Sequence, residues 1–464
     1  PICDMFRTAE TSGQWPSQLV NGKVVSLAKV PTPGSPSDFR PITIFGLLYR
    51  CWSSFHSRKA LSALEPHLPD TLYGSRQGRH ATQLWSKLLW AIEWSYQHDV
   101  ALSGVVLDLQ KAFNLLPRLA VFEIAAHVGI PMNVLIGWAG ALSQMHRHFL
   151  IRNSLSEGVP SVTGFPEGCG LSCIAMVLVD AAFHQWQQAY FPLCTALSYV
   201  DDWQLLCSHH SLIQGAQASL DRFIHAMDLI VDVRKCYAWS LSAEGRHALR
   251  QQGTRVVLAG KNLGAHIQTS RKHTNSSLME RVQNMQSIWP KLRISACRYA
   301  VKIRALKVAA WPRALHAVAA TCLSDSAFHS LRSGAMRGLD ADSAGSNPWI
   351  QLGLIEHPSA DPQFWAVIQT IRCIRECGEP DQVVPRLVAL TTGNTSLPEN
   401  GITATLLTRL QSLGWHVAQD GLIADMFGLF ALFQVSLQEI VMRAIWAWQL
   451  VVAQKVSHRP GFFN

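Results

Sequence analysis

Residues 104–107 are apolar without a break and end at Asp108. Residues 197–200 and 203–207 are two further, mainly apolar runs, and they flank the adjacent pair Asp201 and Asp202. An uninterrupted run of this length fits a strand buried on both faces. Two such runs around a short polar turn fit a β-hairpin that lifts its acidic groups on the tip. Helical periodicity marks residues 45–64, a second helix ending about residue 97, a pair across 119–145 and a helix ending about residue 190. A strand is expected at 22–30, and 146–162 alternates like a two-stranded ribbon with its turn near 153–157. Polar stretches at 340–347 and 391–400 read as linkers between amphipathic helices, the last of them at 437–456. The pattern as a whole is α+β.

Composition narrows the class. The chain has 464 residues, 48% hydrophobic and only 15% charged, which excludes a disordered protein. A net charge of +9 suits a polyanionic partner, and sixteen Trp supply aromatic surface for packing or for base stacking. The eleven Cys are scattered, with close pairs only at Cys169/Cys173 and Cys373/Cys377 and no zinc-ligand spacing nearby. They read as reduced thiols of an intracellular protein. No apolar run reaches membrane-spanning length. A start at Pro1 rather than Met reads as a fragment or an incomplete gene product.

Adjacent carboxylates repel, and a fold that sets such a pair beside apolar strands usually neutralises it with a cation. An ordinary solvated turn fits Asp201-Asp202 as well, because acidic residues favour turns. Asp108 fits either a catalytic strand end or a helix N-cap. Two loops carry Arg into helices: 31–38, which delivers Phe39-Arg40-Pro41-Ile42, and 73–80, with Arg76 and Arg79. They are candidates for an anion-binding surface, or are plainly solvated. The loop 164–172 contains Glu167 and Gly168, and its glycines allow close backbone approach to a ligand or simply connect two elements. From 281 to 316 there are eight basic residues and no acidic one, interleaved with Trp289, Ile294, Tyr299, Ile303, Leu306 and Trp311. That pattern gives helices with one cationic side, either solvated or gripping a polyanion.

In order and spacing, Asp108 with Phe113, the Gly-x-x-x-Gly-x-x-x-Ser loop and the Tyr-x-Asp-Asp hairpin resemble reverse transcriptases. Arg40-Pro41-Ile42, the 74–79 loop, Lys235 and Leu263-Gly264 are similar to the set found in LINE-type, non-LTR retrotransposon polymerases. The resemblance covers residues 20–330.

The resemblance implies a right-hand polymerase: fingers and palm interleaved over 1–268, a helical thumb over 269–338, and a helical C-terminal domain over 348–464. The implied activity is RNA-directed DNA synthesis on a DNA primer or target DNA, with an RNA template, deoxynucleotides and two Mg²⁺ ions, or Mn²⁺ in their place. Work in the nucleus follows. Asp108 and Asp201 would be metal ligands, with Asp202 a third carboxylate. Arg40, with Lys29 assisting, would grip the triphosphate, and Phe113 would exclude a ribose 2′-hydroxyl unless it is a core residue. Glu167, Gly168 and Lys235 would line the nucleotide, although Lys235 also fits an exposed lysine with no role. Arg79, Leu263, Gly264, Arg298 and Lys302 would contact template and primer. Two positions depart from the family pattern: Glu167 stands where Gln is usual, and Asn114 where Asp is common. Two other readings fit the same motifs, a group II intron maturase-like enzyme and a relic that binds nucleic acid without catalysis.

Overall fold

The computed structural model describes residues 2–30, 32–270, 275–342, 346–393, 397–398 and 401–457. Of the two expected linkers, residues 343–345, 394–396 and 399–400 lie outside the described residues. The chain forms two compact units, one of Pro1–Ala81 with Leu102–Val256 and one of Thr82–Ala101 with Val257–Asn464.

The strands of the first unit, in chain order, are β1 (Gly22–Ala28), β2 (Phe39–Ile44), β3 (Ser103–Asp108), β4 (His146–Ile151), β5 (Ser154–Leu155), β6 (Val159–Pro160), β7 (Cys194–Tyr199), β8 (Asp202–Cys207) and β9 (Tyr237–Ser240). One sheet has the order β7-β8-β3-β9 and holds the carboxylates. The other has the order β2-β1-β4-β5, with β6 also on β4. The Phe39-Arg40-Pro41-Ile42 motif therefore lies on a strand rather than on the preceding loop. The expected ribbon at 146–162 forms, and β4 joins it to the sheet by pairing in parallel with β1.

The central strand β3 is buried from Ser103 to Leu107, as its unbroken apolar run requires. Gly104 has no room for a side chain, because a Cβ there would meet the Trp239 indole at 2.6 Å. The helix Gly170–Tyr190 is apolar on most of its faces. Its Ile174, Leu178 and Phe183 join Val105, Leu107, Trp203 and Leu205 in one core. Phe183 and Trp203 stack with centroids 4.3 Å apart.

The reading of every cysteine as a reduced thiol is corrected at one pair. Antiparallel register sets Cys194 opposite Cys207, with Cα atoms 4.8 Å apart, and the two are disulfide-bonded. Their separation in sequence carries no such signal, since only strand pairing brings them together. The other nine cysteines are free.

In the second unit a hairpin of β10 (Ala259–Asn262) and β11 (Ala265–Gln268) precedes the helices. Leu278, Trp289, Leu306, Trp311, Phe328 and Leu331 share one core with Leu352, Ala360 and Ala366. Segments on both sides of the 340–347 stretch thus bury a common apolar surface. The helix Ala81–His98 contributes Glu93, whose carboxylate accepts from the Thr403 amide at 2.9 Å and the Thr403 hydroxyl at 2.6 Å. Arg386 lies 3.8 Å from the same carboxylate. The C-terminal region is not wholly helical. A small antiparallel meander of β12 (His416–Val417), β13 (Ile423–Asp425) and β14 (Gly428–Phe430) precedes the last helix, Leu437–Ser457. Its strands are two or three residues long, too short for a period-two pattern to be legible.

Candidate active site

The strand β3 ends at Asp108, and antiparallel pairing sets Asp108 directly opposite Asp202 on β8. Asp202 is in turn opposite Tyr199 on β7, so the β7–β8 turn is Val200-Asp201. Asp201 is tied back to β3 by the bond from the Leu109 amide to its carbonyl, 3.1 Å. Val200 adopts φ 58°, a left-handed conformation that a β-branched residue rarely takes. The Trp203 indole N–H holds this turn, donating to Asp180 Oδ1 at 2.8 Å and to the Val200 carbonyl at 3.2 Å.

The N-cap alternative for Asp108 is excluded. The next helix, Ala112–Leu115, is entered through Lys111 at φ 48°, and no side chain caps it. Asp108 instead accepts from the Lys235 ammonium at 2.6 Å. Burial works against that ammonium, but the bond and the charge of Asp108 outweigh it and raise the Lys235 pKa. Burial raises the Asp201 pKa, with Asp108 adding to it. Burial, then Asp201 and Asp108, push Asp202 up to about 7. Desolvated, mutually repelling carboxylates are what a hard divalent cation relieves, and Asp108, Asp201 and Asp202 are the residues suited to hold one. Among the described residues no three acidic, His or Cys side chains converge on one point, and the cation that meets Asp108 is Lys235.

Residues 71–74 run along β7. The Tyr73 amide donates to the Ser198 carbonyl at 2.9 Å, and the Ser198 amide to the Thr71 carbonyl at 3.1 Å. Gly74 lies against the Val200 backbone with no space for a Cβ. Arg76 is not part of an anion-binding surface. It is buried, forks onto Glu65 at 2.6 Å, and donates to the carbonyls of Pro69 and Leu72. Arg79 is half-exposed and pairs with Asp70 at 3.0 Å.

On the nucleotide side, Arg40 is exposed on β2 and lies 3.7 Å from Glu167. Lys29 donates to the Ser37 carbonyl at 3.3 Å. Phe113 is half-buried, and its carbonyl accepts from the Phe165 amide at 2.6 Å. The Thr43 amide of β2 donates to the Glu167 carbonyl at 2.7 Å, and Gly168, at φ 118°, packs on the Thr43 carbonyl. Glu167 accepts from the Asn114 amide at 3.1 Å. Burial raises the Glu167 pKa, and Arg40, Asn114 and Lys29 oppose it.

In the second unit, Leu263 and Gly264 form the tip of the β10–β11 hairpin, both at positive φ. The Leu263 carbonyl accepts from His316 at 3.2 Å, and Arg281 donates to the Gly264 carbonyl. Arg298 is exposed. Lys302 does not present its charge: it is 8% exposed, and its ammonium donates to the Arg293 carbonyl at 2.8 Å.

Sequence reading missed Gly74, Asp180, Trp203 and Arg147, which shape the site without touching a substrate. Only Trp203, adjacent to the Asp pair, carried a local signal; the others act through contacts between distant segments.

Residues 29–270 match the family described as reverse transcriptase (RNA-dependent DNA polymerase). No curated protein matches the chain. Among solved structures, an apo telomerase from Candida tropicalis truncated of its C-terminal domain is 13% identical, TM-score 0.42, over 55% of this chain and 54% of that one. A second apo telomerase from Candida tropicalis is 13% identical, TM-score 0.43, over 94% of this chain and 69% of that one. A telomerase from Candida albicans in complex with a fragment of telomeric RNA is 10% identical, TM-score 0.38, over 76% and 62%. The chain thus spans little more than half the length of the first of these. The family match covers more than half of the chain, and the protein belongs to the reverse transcriptase family.

Proposed function

We propose that the protein extends a DNA primer with deoxynucleotides on an RNA template, as the polymerase of a non-LTR retrotransposon. The observation that carries this reading is the register of Asp108 against Asp202, with Asp201 on the adjoining turn. Three carboxylates, two of them desolvated, then stand at one end of one sheet, where strand ends usually present catalytic groups.

Asp108 and Asp201 would hold the divalent ions, with Asp202 adding negative charge. When bound, such ions stabilise charge on the attacking and leaving oxygens of the displacement. Arg40 carries the fork geometry that matches a triphosphate. Phe113 fills the space beside the sugar and selects deoxyribose. Lys235, within reach of Asp108, supplies positive charge and a proton on the side where pyrophosphate leaves. In the second unit, Leu263-Gly264 and the exposed Arg298 would contact primer and template backbone. Of the proposed fingers and palm over 1–268, the first unit holds Pro1–Ala81 and Leu102–Val256, while residues 82–101 and 257–268 fall in the second unit with the proposed thumb and C-terminal helices. Copying an element's RNA at chromosomal DNA implies work in the nucleus.

Primer extension on an RNA template with deoxynucleotides and Mg²⁺ tests the reading, beside an Asp201→Ala/Asp202→Ala control. Extension lost in the control supports it; equal signals from both sink it. One observation favours the relic reading, namely that the carboxylates do not converge and Lys235 occupies Asp108. Salt-sensitive binding of primer–template with no extension under any divalent ion would decide for the relic.

A further inference from the structure

The loop that carries Glu167 is stitched to two elements at once. On one side the Phe165 amide binds the Phe113 carbonyl at 2.6 Å, and Gly164, at φ 68°, packs so closely on the Asn114 backbone that no Cβ fits. On the other, the Thr43 amide binds the Glu167 carbonyl, on the strand that carries Arg40. Between these anchors the Glu167 side chain reaches both elements, accepting from Asn114 Nδ2 at 3.1 Å and lying 3.7 Å from Arg40 Nε.

Asn114 is the bridge. Its Oδ1 accepts from Arg147 Nη1 at 3.2 Å while its Nδ2 serves Glu167. A carboxylate only accepts and a guanidinium only donates, so the side chain between them must do one of each, and an amide does. An Asp at 114 would turn an acceptor toward Glu167. A Gln at 167 would reverse the demand, since its amide could donate to an Asp at 114. Asn114 and Glu167 are also the two positions where the motifs depart from the family pattern, and the structure brings both departures into one hydrogen bond.

We propose that Asn114 and Glu167 act as one reciprocal amide–carboxylate unit. It holds Arg40 and Phe113 in their relative positions, and so sets affinity for the incoming triphosphate and selection of its sugar. Both are positioning residues. Glu167 holds Arg40 through charge, and Asn114, adjacent to Phe113, holds Glu167 and Arg147 together. Arg147 Nε is buried without a hydrogen-bond partner, so its charge leans on this carboxylate.

This inference rests on the polymerase reading, and a double-mutant cycle in the full chain tests it. Asn114→Asp, Glu167→Gln and Asn114→Asp/Glu167→Gln are compared with wild type for KM and kcat in single-nucleotide incorporation, and for the ratio of deoxy- to ribonucleotide use. Asn114→Asp should raise the deoxynucleotide KM about tenfold and blunt sugar selection, with a smaller effect on kcat. The reciprocal double variant should bring KM back to within about threefold of wild type and restore sugar selection. Losses that simply multiply in the double variant would overturn the pair. The shift in melting temperature on adding inorganic triphosphate, read on the same variants, separates the two claims. A shift lost in Asn114→Asp and restored in the double variant keeps the pair even where wild type makes no DNA. No shift in wild type together with no incorporation ends both.

Discussion

The ammonium of Lys235 sits 2.6 Å from Asp108 Oδ1, so a cation already occupies the carboxylate that ends the central strand. An ion arriving at Asp108 must loosen that pair. Lys235→Gln should therefore lower the Mg²⁺ concentration for half-maximal incorporation, while loss of the proton donor lowers kcat about a hundredfold. A Mg²⁺ titration of single-nucleotide incorporation checks this. A raised Mg²⁺ requirement would show that the ammonium does not compete.

Asp202 gives a pH dependence. Its carboxyl is pushed up to about 7, above the ordinary 3.8, by burial and by Asp201 and Asp108. A raised carboxyl favours the metal-free fold on the acid side, and this contribution is lost as pH rises through the folded value. A bound divalent ion compensates only when the group is ionised. The Mg²⁺-induced rise in melting temperature should therefore be larger near about pH 8 than near about pH 6. Asp202→Asn should flatten the difference.

His184 titrates in the opposite sense. Its Nε2 meets the Ser198 hydroxyl at 2.9 Å, its Nδ1 meets the Thr71 hydroxyl at 3.3 Å, and burial, helped by Arg76, lowers its pKa from 6.5 to about 4. The unfolded chain takes up this proton first, so the contribution is present above the unfolded value and lost as pH falls toward the folded one. The loss amounts to about 3 kcal/mol. Chemical denaturation across that window, compared with His184→Gln, reads it directly.

Gly74 is a test of geometry. A Cβ at this position runs into the Val200 backbone, in the turn that presents Asp201. Gly74→Ala should cut kcat at least about tenfold, equivalent to roughly 1.4 kcal/mol of barrier, and lower the melting temperature, because the added Cβ meets backbone that must shift. Relaxing the turn with Val200→Gly in the same chain should recover part of the rate. An unchanged kcat in Gly74→Ala would show that the turn moves freely.

Arg298 and Lys302 separate charge that faces solvent from charge that does not. Arg298→Ala should weaken primer–template binding and reduce the slope of log affinity against log salt by about one. Lys302→Ala should leave that slope unchanged and destabilise the second unit by about 1 kcal/mol, because its ammonium caps the Arg293 carbonyl. Binding isotherms at several salt concentrations, with thermal melts, distinguish the two.

The strand ending at Asp108, the hairpin around Asp201-Asp202 and the apolar helix Gly170–Tyr190 were legible in the sequence, because each announces itself by local apolar periodicity. The Leu263-Gly264 turn was placed by the family resemblance and not by periodicity: Gly264 accepts its positive φ, whereas Leu263 at φ 45° holds a conformation a bulky residue rarely takes. What periodicity does not carry is which segment lies beside which. Arg76 looked like Arg79 on one loop, yet one is enclosed by Glu65 and two carbonyls while the other is half-exposed. Lys302 looked like Arg298 and turned inward, and the Cys194–Cys207 bond exists only because two strands pair in register.

By itself the sequence determined the strand ending at Asp108, the hairpin with its aspartates, the longer apolar helices and the basic character of residues 281–316. Their patterns arise from interactions between residues a few positions apart. Only the tertiary structure decided that Lys235 closes on Asp108, that Gly74 supports the Val200 turn, and that Asn114 and Glu167 meet. Those pairings join residues tens to more than a hundred positions apart, and they depend on how strands and loops stack once the apolar core has formed.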